Sequence, residues 1–301
     1  MLLRLAYTVP VVWLVVSLVF MLIHLVPGDP VQAMLGEGAR VADVAALRHS
    51  YGLDQPLHTQ YVHYWRGVLH GDLGRSLRLN DSVAHLVLLR YPYTVSLTVA
   101  ALLLALALSI PAGVAASLHR GRWQDHLLGG VSLLGLSFPV FALGPLLILF
   151  VSIRLGWLPV SGAAGPEYLV LPAVTMGSAL AAILTRMVRT AMLEELGQDY
   201  IRTARAKGLP ERVVVYRHAL RNALIPIITL VGLQFGALLA GAIVTEKIFS
   251  WPGIGQLTVS AISNRDYALV QGCILAVGLT YVLVNLLTDV VYVVVNPRIR
   301  S

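Results

Sequence analysis

Glu194 to Pro226 reads EELGQDYIRTARAKGLPERVVVYRHALRNALIP, a charged, helix-prone insert between two long apolar runs. Its core, Tyr200 to Leu209 (YIRTARAKGL), is rich in strong helix formers and meets a glycine at Gly208, the residue that most readily takes the left-handed conformation ending a helix. Pro210 and Glu211 then suit the first turn of a following helix: proline needs no donor there, and a carboxylate meets the positive dipole end. The expectation is a short helix, a sharp turn at Gly208 and a second short helix. On the first helix Ile201, Ala204 and Ala206 are small or apolar, whereas Arg202, Arg205 and Lys207 project charge. Two readings of this knuckle stand side by side. A basic loop can simply hold membrane topology and touch headgroups, or it can be the chain's handle for another protein.

Composition admits a membrane protein and disfavours a soluble domain: 57% of the 301 residues are hydrophobic, 12% are charged and the mean hydropathy is +0.77. Six apolar runs approach or exceed the roughly 18 residues needed to cross a bilayer. They are Leu5 to Val26, Thr94 to Leu118, Leu127 to Ile153, Tyr168 to Leu184, Ala223 to Val244 and Ala268 to Val295. The fold class expected is an all-α membrane protein with six transmembrane helices, a polar subdomain after the first and the charged knuckle between the fourth and fifth, which the resemblance below makes a periplasmic subdomain and a cytoplasmic coupling loop. Residues 1–301 read as a single domain, with 28–93 as the periplasmic insertion and 94–295 as the core helices carrying the loop 194–221.

Six spans place both termini on one side. That side collects thirteen basic and five acidic residues, a balance of +8, and the other side is neutral at nine of each. Asp289 within the last span completes the net +7. Positive loops stay in the cytoplasm during insertion, so the knuckle and both termini are expected there. The high isoelectric point then needs no nucleic-acid partner.

In chain order, the first run is longer than a secretory h-region and reads as a retained span, leaving through the rigid PGDP turn at Pro27 to Pro30. His24 near its end reads as bonding a neighbour or a headgroup rather than acting in transport. Helical patterns near Val41 to Tyr51 and Leu57 to His70 follow. His58, His63 and His70 are spaced for a solvated helix surface rather than a metal site, with no cysteine or carboxylate completing one. In the fourth run, Arg186 and Arg189 lie three apart, directed at headgroups or at the knuckle. The fifth run is unusually small, with Gly232, Gln234, Gly236, Ala237, Ala240 and Gly241. Its glycines read first as helix packing. Gln234 stands open between packing and lining a substrate path, and Gly236 and Asn285 join it as candidate path residues. Asp289, one turn from Asn285, should face protein or water and pair with a basic residue. No GxxxxGK[ST] loop, nucleophile elbow or HExxH occurs, and Cys273 stands alone within a span. No catalytic or metal-ligating residues are assigned.

Five phrases then match a family. The knuckle resembles the cytoplasmic loop of inner-membrane permease subunits of binding-protein-dependent, ATP-driven (ABC) importers, whose pattern is EAA, three residues, G, nine residues, IxLP. Arg202, Thr203 and Ala204 stand at EAA, Gly208 at the glycine, and His218, Ala219, Leu220 and Arg221 at IxLP. The leading Glu, the Ile and the Pro are therefore absent. RTARAKGL and RHALRNALIP instead resemble the dipeptide, oligopeptide and nickel branch, as do YGLDQPL with GVLHGDLGRSL, RLGWLPVSG, EKIFSWPGIGQL and NPRIR.

That resemblance implies a pore subunit importing short peptides, with glutathione-like peptides or chelated nickel as alternatives. It implies a second homologous permease, two ATP-binding subunits that carry ATP and Mg, and a periplasmic or lipid-anchored solute-binding protein. No cofactor is expected on this chain itself. The site of the bacterial inner membrane follows, with lipid around the spans. Arg202, Thr203, Ala204, Arg205, Ala206, Lys207, Gly208 and Leu209 are the residues expected to couple to an ATPase subunit. The rival from another class is an ion-coupled carrier without ATPase partners, which would usually show charged relays at mid-membrane. Topology can be tested directly: in intact cells an impermeant thiol reagent should label a cysteine placed at Arg48 and spare one placed at Arg205, and the opposite pattern would reverse the orientation.

Overall fold

The computed structural model describes residues 2–25, 30–35, 38, 40–50, 52–76 and 78–295. Val26 to Asp29 of the PGDP turn, Tyr51 and the tail Asn296 to Arg300 lie outside them. Helices account for almost all of the described chain: α1 Leu2–Leu25, α2 Pro30–Leu35, α3 Val41–Ser50, α4 Leu57–His70, α5 Val83–Leu118, α6 Trp123–Ser137, α7 Val140–Leu147, α8 Glu167–Leu196, α9 Asp199–Ala206, α10 Glu211–Val213, α11 Leu220–Ile248, α12 Ile254–Ser263 and α13 Tyr267–Val295. Five of the described helical stretches are long and apolar enough to cross a membrane, and α6 with α7 makes a sixth if taken together.

Two boundaries depart from expectation. The run Leu127 to Ile153 is not one straight helix, because α6 and α7 meet at 100°. Phe138 is extended there (φ −87°, ψ 114°) and Pro139 follows; a residue before proline is driven out of the helical region, so an unbroken apolar run still breaks. α7 then continues as a wide π turn over Ile148–Arg154. The second helix begins at Val83 rather than Thr94 and runs for 36 residues, about 54 Å at the helical rise and well beyond a hydrocarbon core of roughly 30 Å. Its first turns, which carry Arg90, therefore belong outside the apolar span.

The chain forms two compact units, Met1–Thr94 with Pro252–Leu283, and Val95–Trp251 with Val284–Ser301. In the first, Val16 and Val19 of α1 and Leu275 of α13 are buried beside Tyr64, Trp65 and Val68 of α4. Ser17 and Tyr61 share a hydrogen bond at 2.7 Å, and Phe20 meets the Tyr61 ring edge-on. His24 lies 3.2 Å from Gln60 Oε1 and 3.3 Å from the Phe20 carbonyl, in keeping with a histidine that bonds its neighbours. His70 Nδ1 lies 2.7 Å from the Arg66 carbonyl. Buried Asp266 accepts the Leu269 N–H at the start of α13 and the Ser76 hydroxyl from the loop before α5. After the Trp-Pro-Gly turn, Ile254 N–H donates to Thr94 Oγ1 at 2.8 Å and opens α12, too short to span.

In the second unit small residues let helices meet. Ala101 and Ala105 of α5 and Ala173, Met176 and Ala181 of α8 are buried in one cluster. A Cβ on Gly177 would lie 2.7 Å from the Ala101 carbonyl oxygen, and one on Gly113 would lie 2.5 Å from Val188 Cβ. On α11, a Cβ on Gly232 would meet Thr288 Cγ2 of α13 at 2.1 Å, so this glycine serves packing. Close backbone approach is what small residues supply where lipid offers no hydrophobic drive to associate. Gly177→Val should therefore cost about 1–3 kcal/mol and lower the thermal midpoint of the solubilised protein, because backbone cannot yield as a side chain can. Gly129→Ala, with open space around its Cα, is the control; equal midpoints for the two would refute this packing account.

Candidate functional site

The knuckle is mounted on the second unit by its apolar stripe. Ile201 is fully buried and Ala204 nearly so, within the cluster that holds Leu184, Val188 and Met192 of α8 and Val214, Val215 and Ala219 after α10. Arg202, Thr203, Arg205, Ala206, Lys207, Gly208 and Leu209 are exposed. Of the eight expected coupling residues, only Ala204 is turned inward.

Gly208 ends α9 as expected, with φ +76°. Its N–H donates to the Arg205 carbonyl at 2.9 Å and the Leu209 N–H reaches back to Ala204 at 3.3 Å, the paired bonds of a Schellman ending. A Cβ there would touch nothing within 4 Å, so the demand for glycine is conformational, not steric. Pro210, at φ −61° and ψ 141°, is the N-cap of α10 rather than part of its first turn, which Glu211 opens. The second limb differs from expectation: α10 runs through a π turn, Val214–Ala219, directly into α11. The turn therefore joins a short helix to the fifth span itself.

Polar contacts hold both ends of α9. At its end the Arg205 guanidinium forks onto Glu211, with Nη2 2.7 Å from Oε1 and Nε 3.2 Å from Oε2. At its start the Tyr200 hydroxyl donates to Glu195 of α8 and accepts from Asn222 Nδ2 of α11 at 3.0 Å. Burial raises the Tyr200 phenol above its ordinary pKa and the bond to Glu195 adds to this, while the Asn222 bond opposes it. It stays a donor at neutral pH. Arg202 and Asp199 pair at 3.2 Å in open solvent, which contributes little.

A second polar lock was not foreseen. Arg189 is directed neither to headgroups nor to the knuckle: its Nε and Nη2 bind the two oxygens of Asp125 in α6 at 2.6 and 2.7 Å. Asp125 is buried and also accepts the Gly121 N–H at 3.0 Å, so one carboxylate ties the α5–α6 turn to α8. The available signal was an acidic residue in the first turn of an apolar helix. Arg186 is exposed. Gln234, Gly236 and Asn285 are each half-buried on α11 and α13, and Asp289 is exposed. Among the described residues no three His, Cys, Asp or Glu side chains gather to hold a metal ion.

An all-helical membrane chain with such a projection between two of its spans has the architecture of a permease subunit. The chain belongs to the binding-protein-dependent transport system inner membrane component family, matched over residues 109–301, with the family's N-terminal component matched over residues 1–98. It is 43% identical over 297 residues to the glutathione transport system permease protein GsiC of Salmonella typhimurium, covering 99% of this chain and 97% of that one. GsiC of Escherichia coli K12 matches to the same extent. The fold is similar to that of the MetNI methionine ABC transporter in inward-facing conformations, with a TM-score of 0.57 at 18% identity, over 70% of this chain and 96% of that one. The chain is thus an ABC importer permease of the peptide and nickel branch, a protein of the bacterial inner membrane that works with a substrate-binding protein and ATPase partners. An ion-coupled carrier is set aside.

The Schellman turn yields a direct test. Gly208→Val should cost about 1–2 kcal/mol through the forced positive φ and speed hydrogen exchange of the α9 amides, whereas Gly208→Asn, which tolerates that region, should perturb them much less. Equal exchange in both variants would show that φ at Gly208 does not hold the knuckle.

Proposed function

We propose that the chain is one half of a pore importing short peptides, glutathione foremost. The observation that carries this is the 43% identity to glutathione permeases along 99% of the chain. In this reading a second, homologous permease completes the pore. Two ATP-binding subunits hydrolyse ATP, each seated on one permease, and the exposed residues Arg202 to Leu209 receive one of them. Both termini and the knuckle lie in the cytoplasm, residues 28–93 face the solute-binding protein, and the chain itself binds no cofactor.

The mechanism is a rigid-body switch biased by a ligand. When ATP draws the motor subunits together, α9 moves with the surface beneath it. Its buried stripe carries that displacement into α8 and, through the continuous α10–α11 limb, into the fifth span. Gln234, Gly236 and Asn285 then line the route that opens alternately to each side. Gln234 supplies an amide able to donate to and accept from a peptide bond, and the neighbouring small residues leave room for it.

Uptake in proteoliposomes containing the complete transporter tests both substrate and route. Labelled glutathione and labelled dipeptides should accumulate with ATP, and Gln234→Leu should slow uptake at least about tenfold, a loss of roughly 1.4 kcal/mol, or change the preference between substrates. ATP hydrolysis should persist. Accumulation of neither peptide class would overturn the substrate assignment, and unchanged uptake of every substrate by Gln234→Leu would return that residue to packing.

A further inference from the structure

We infer that Tyr200 is a positioning residue for transport: its hydroxyl is the joint that makes α8 and α11 follow α9. The inference rests on the docking role proposed for Arg202 to Leu209 and adds how a displacement of that short helix reaches two spans at once.

Three attachments hold α9, and they do different work. Ile201 and Ala204 fix its height against the core, but an apolar contact is non-directional and lets a helix roll. The Arg205–Glu211 fork closes the far end, yet both partners sit on the limbs of the turn and neither reaches α8. Tyr200 is different. One oxygen uses its proton on Glu195, near the end of α8, and accepts from Asn222, near the start of α11. A hydroxyl spent in both directions is located by triangulation: α9 cannot turn away from either helix without breaking a bond.

The backbone beside it shows why a joint is needed. α8 and α9 are connected through Gly197 and Gln198 alone, and Gln198 is extended at φ −74°, ψ 152°. No helical hydrogen-bond ladder continues across this extended link, so the link by itself does not fix the direction of α9. A second tie across it, Gln198 Nε2 to the Glu194 carbonyl, is long at 3.4 Å. Tyr200 supplies the directional constraint that this link lacks. Its ring is 37% exposed, so Tyr200→Phe removes the hydroxyl without opening a core cavity.

The measurement is uptake per ATP hydrolysed in the reconstituted complete transporter, at matched amounts of assembled complex. Tyr200→Phe should retain the ATPase subunits and their stimulation by the loaded binding protein while the uptake ratio falls about threefold or more, the range expected for losing a hydrogen bond. Glu195→Ala should behave likewise, and Glu195→Gln, which keeps an acceptor for the tyrosine proton, should stay near the parent ratio. An unchanged ratio in Tyr200→Phe overturns the inference, as does a fall in uptake that merely tracks loss of ATPase subunits. Gly208→Val in the same preparation separates the two readings. If it uncouples transport while Tyr200→Phe does not, docking at the knuckle stands and the joint is wrong. If neither alters coupling or assembly, the docking reading fails as well.

Discussion

An eight-residue helix does not persist in water on its own, since nucleation is costly and isolated helices below about 12–15 residues are marginal. The exposed part of this protein's 194–221 loop depends on that constraint. α9 exists because Ile201 and Ala204 are taken into the core of the second unit. Burying the isoleucine contributes about 1.5–3 kcal/mol, against roughly 0.2–1 kcal/mol for a half-exposed ion pair such as Arg205–Glu211. The apolar stripe therefore decides whether the helix forms. The charges decide how it is oriented and what it can meet.

This division bears on the coupling proposed above, in which a surface of exposed cations would pass on a displacement. Flexible lysines and arginines dissipate displacement, but the helix beneath them is packed like a core element and leads through a continuous helical limb into the fifth span. The Asp125–Arg189 fork stiffens the same region from another side. Its carboxylate is buried and fully engaged by a guanidinium and the Gly121 N–H, which makes the α5–α6 turn and α8 one piece. A buried carboxylate deprived of its partner costs far more than the pair contributes. Such a lock holds geometry more than it adds stability.

What the sequence made legible was local. The boundaries of α4 match its pattern at both ends, and Gly208 was identifiable because only one residue type suits a left-handed ending. Five of the six apolar runs became continuous helices. The remainder depended on contacts between distant segments. The break at Pro139 hid inside an uninterrupted apolar run, where hydropathy is blind to backbone direction. Arg189 read as directed at headgroups or at the knuckle because its partner lies 64 positions away. Tyr200 read as one helix former among several because Glu195 and Asn222 meet it only when three helices converge. Gln234, Gly236 and Asn285 were legible only as small or polar residues within spans, because their half-burial depends on the helices packed around them.

The departures from the general loop pattern are coherent with this architecture. Where the wider family carries a leading glutamate, this chain has Arg202, exposed and weakly paired. Carboxylates engage the short helix from elsewhere: Glu211 across the glycine turn at Arg205, and Glu195 of α8 at Tyr200. The acidic residue at Glu211 closes the turn internally, while Arg202, in a solvent-exposed pair with Asp199, and Lys207 leave the surface offered outward basic. A partner docked there as proposed above would meet these cations with acidic or hydrogen-bond-accepting groups, because desolvating charge without compensation is costly. In this chain the carboxylate of the Arg205–Glu211 pair thus stands in the turn, and the exposed face of α9 is left basic.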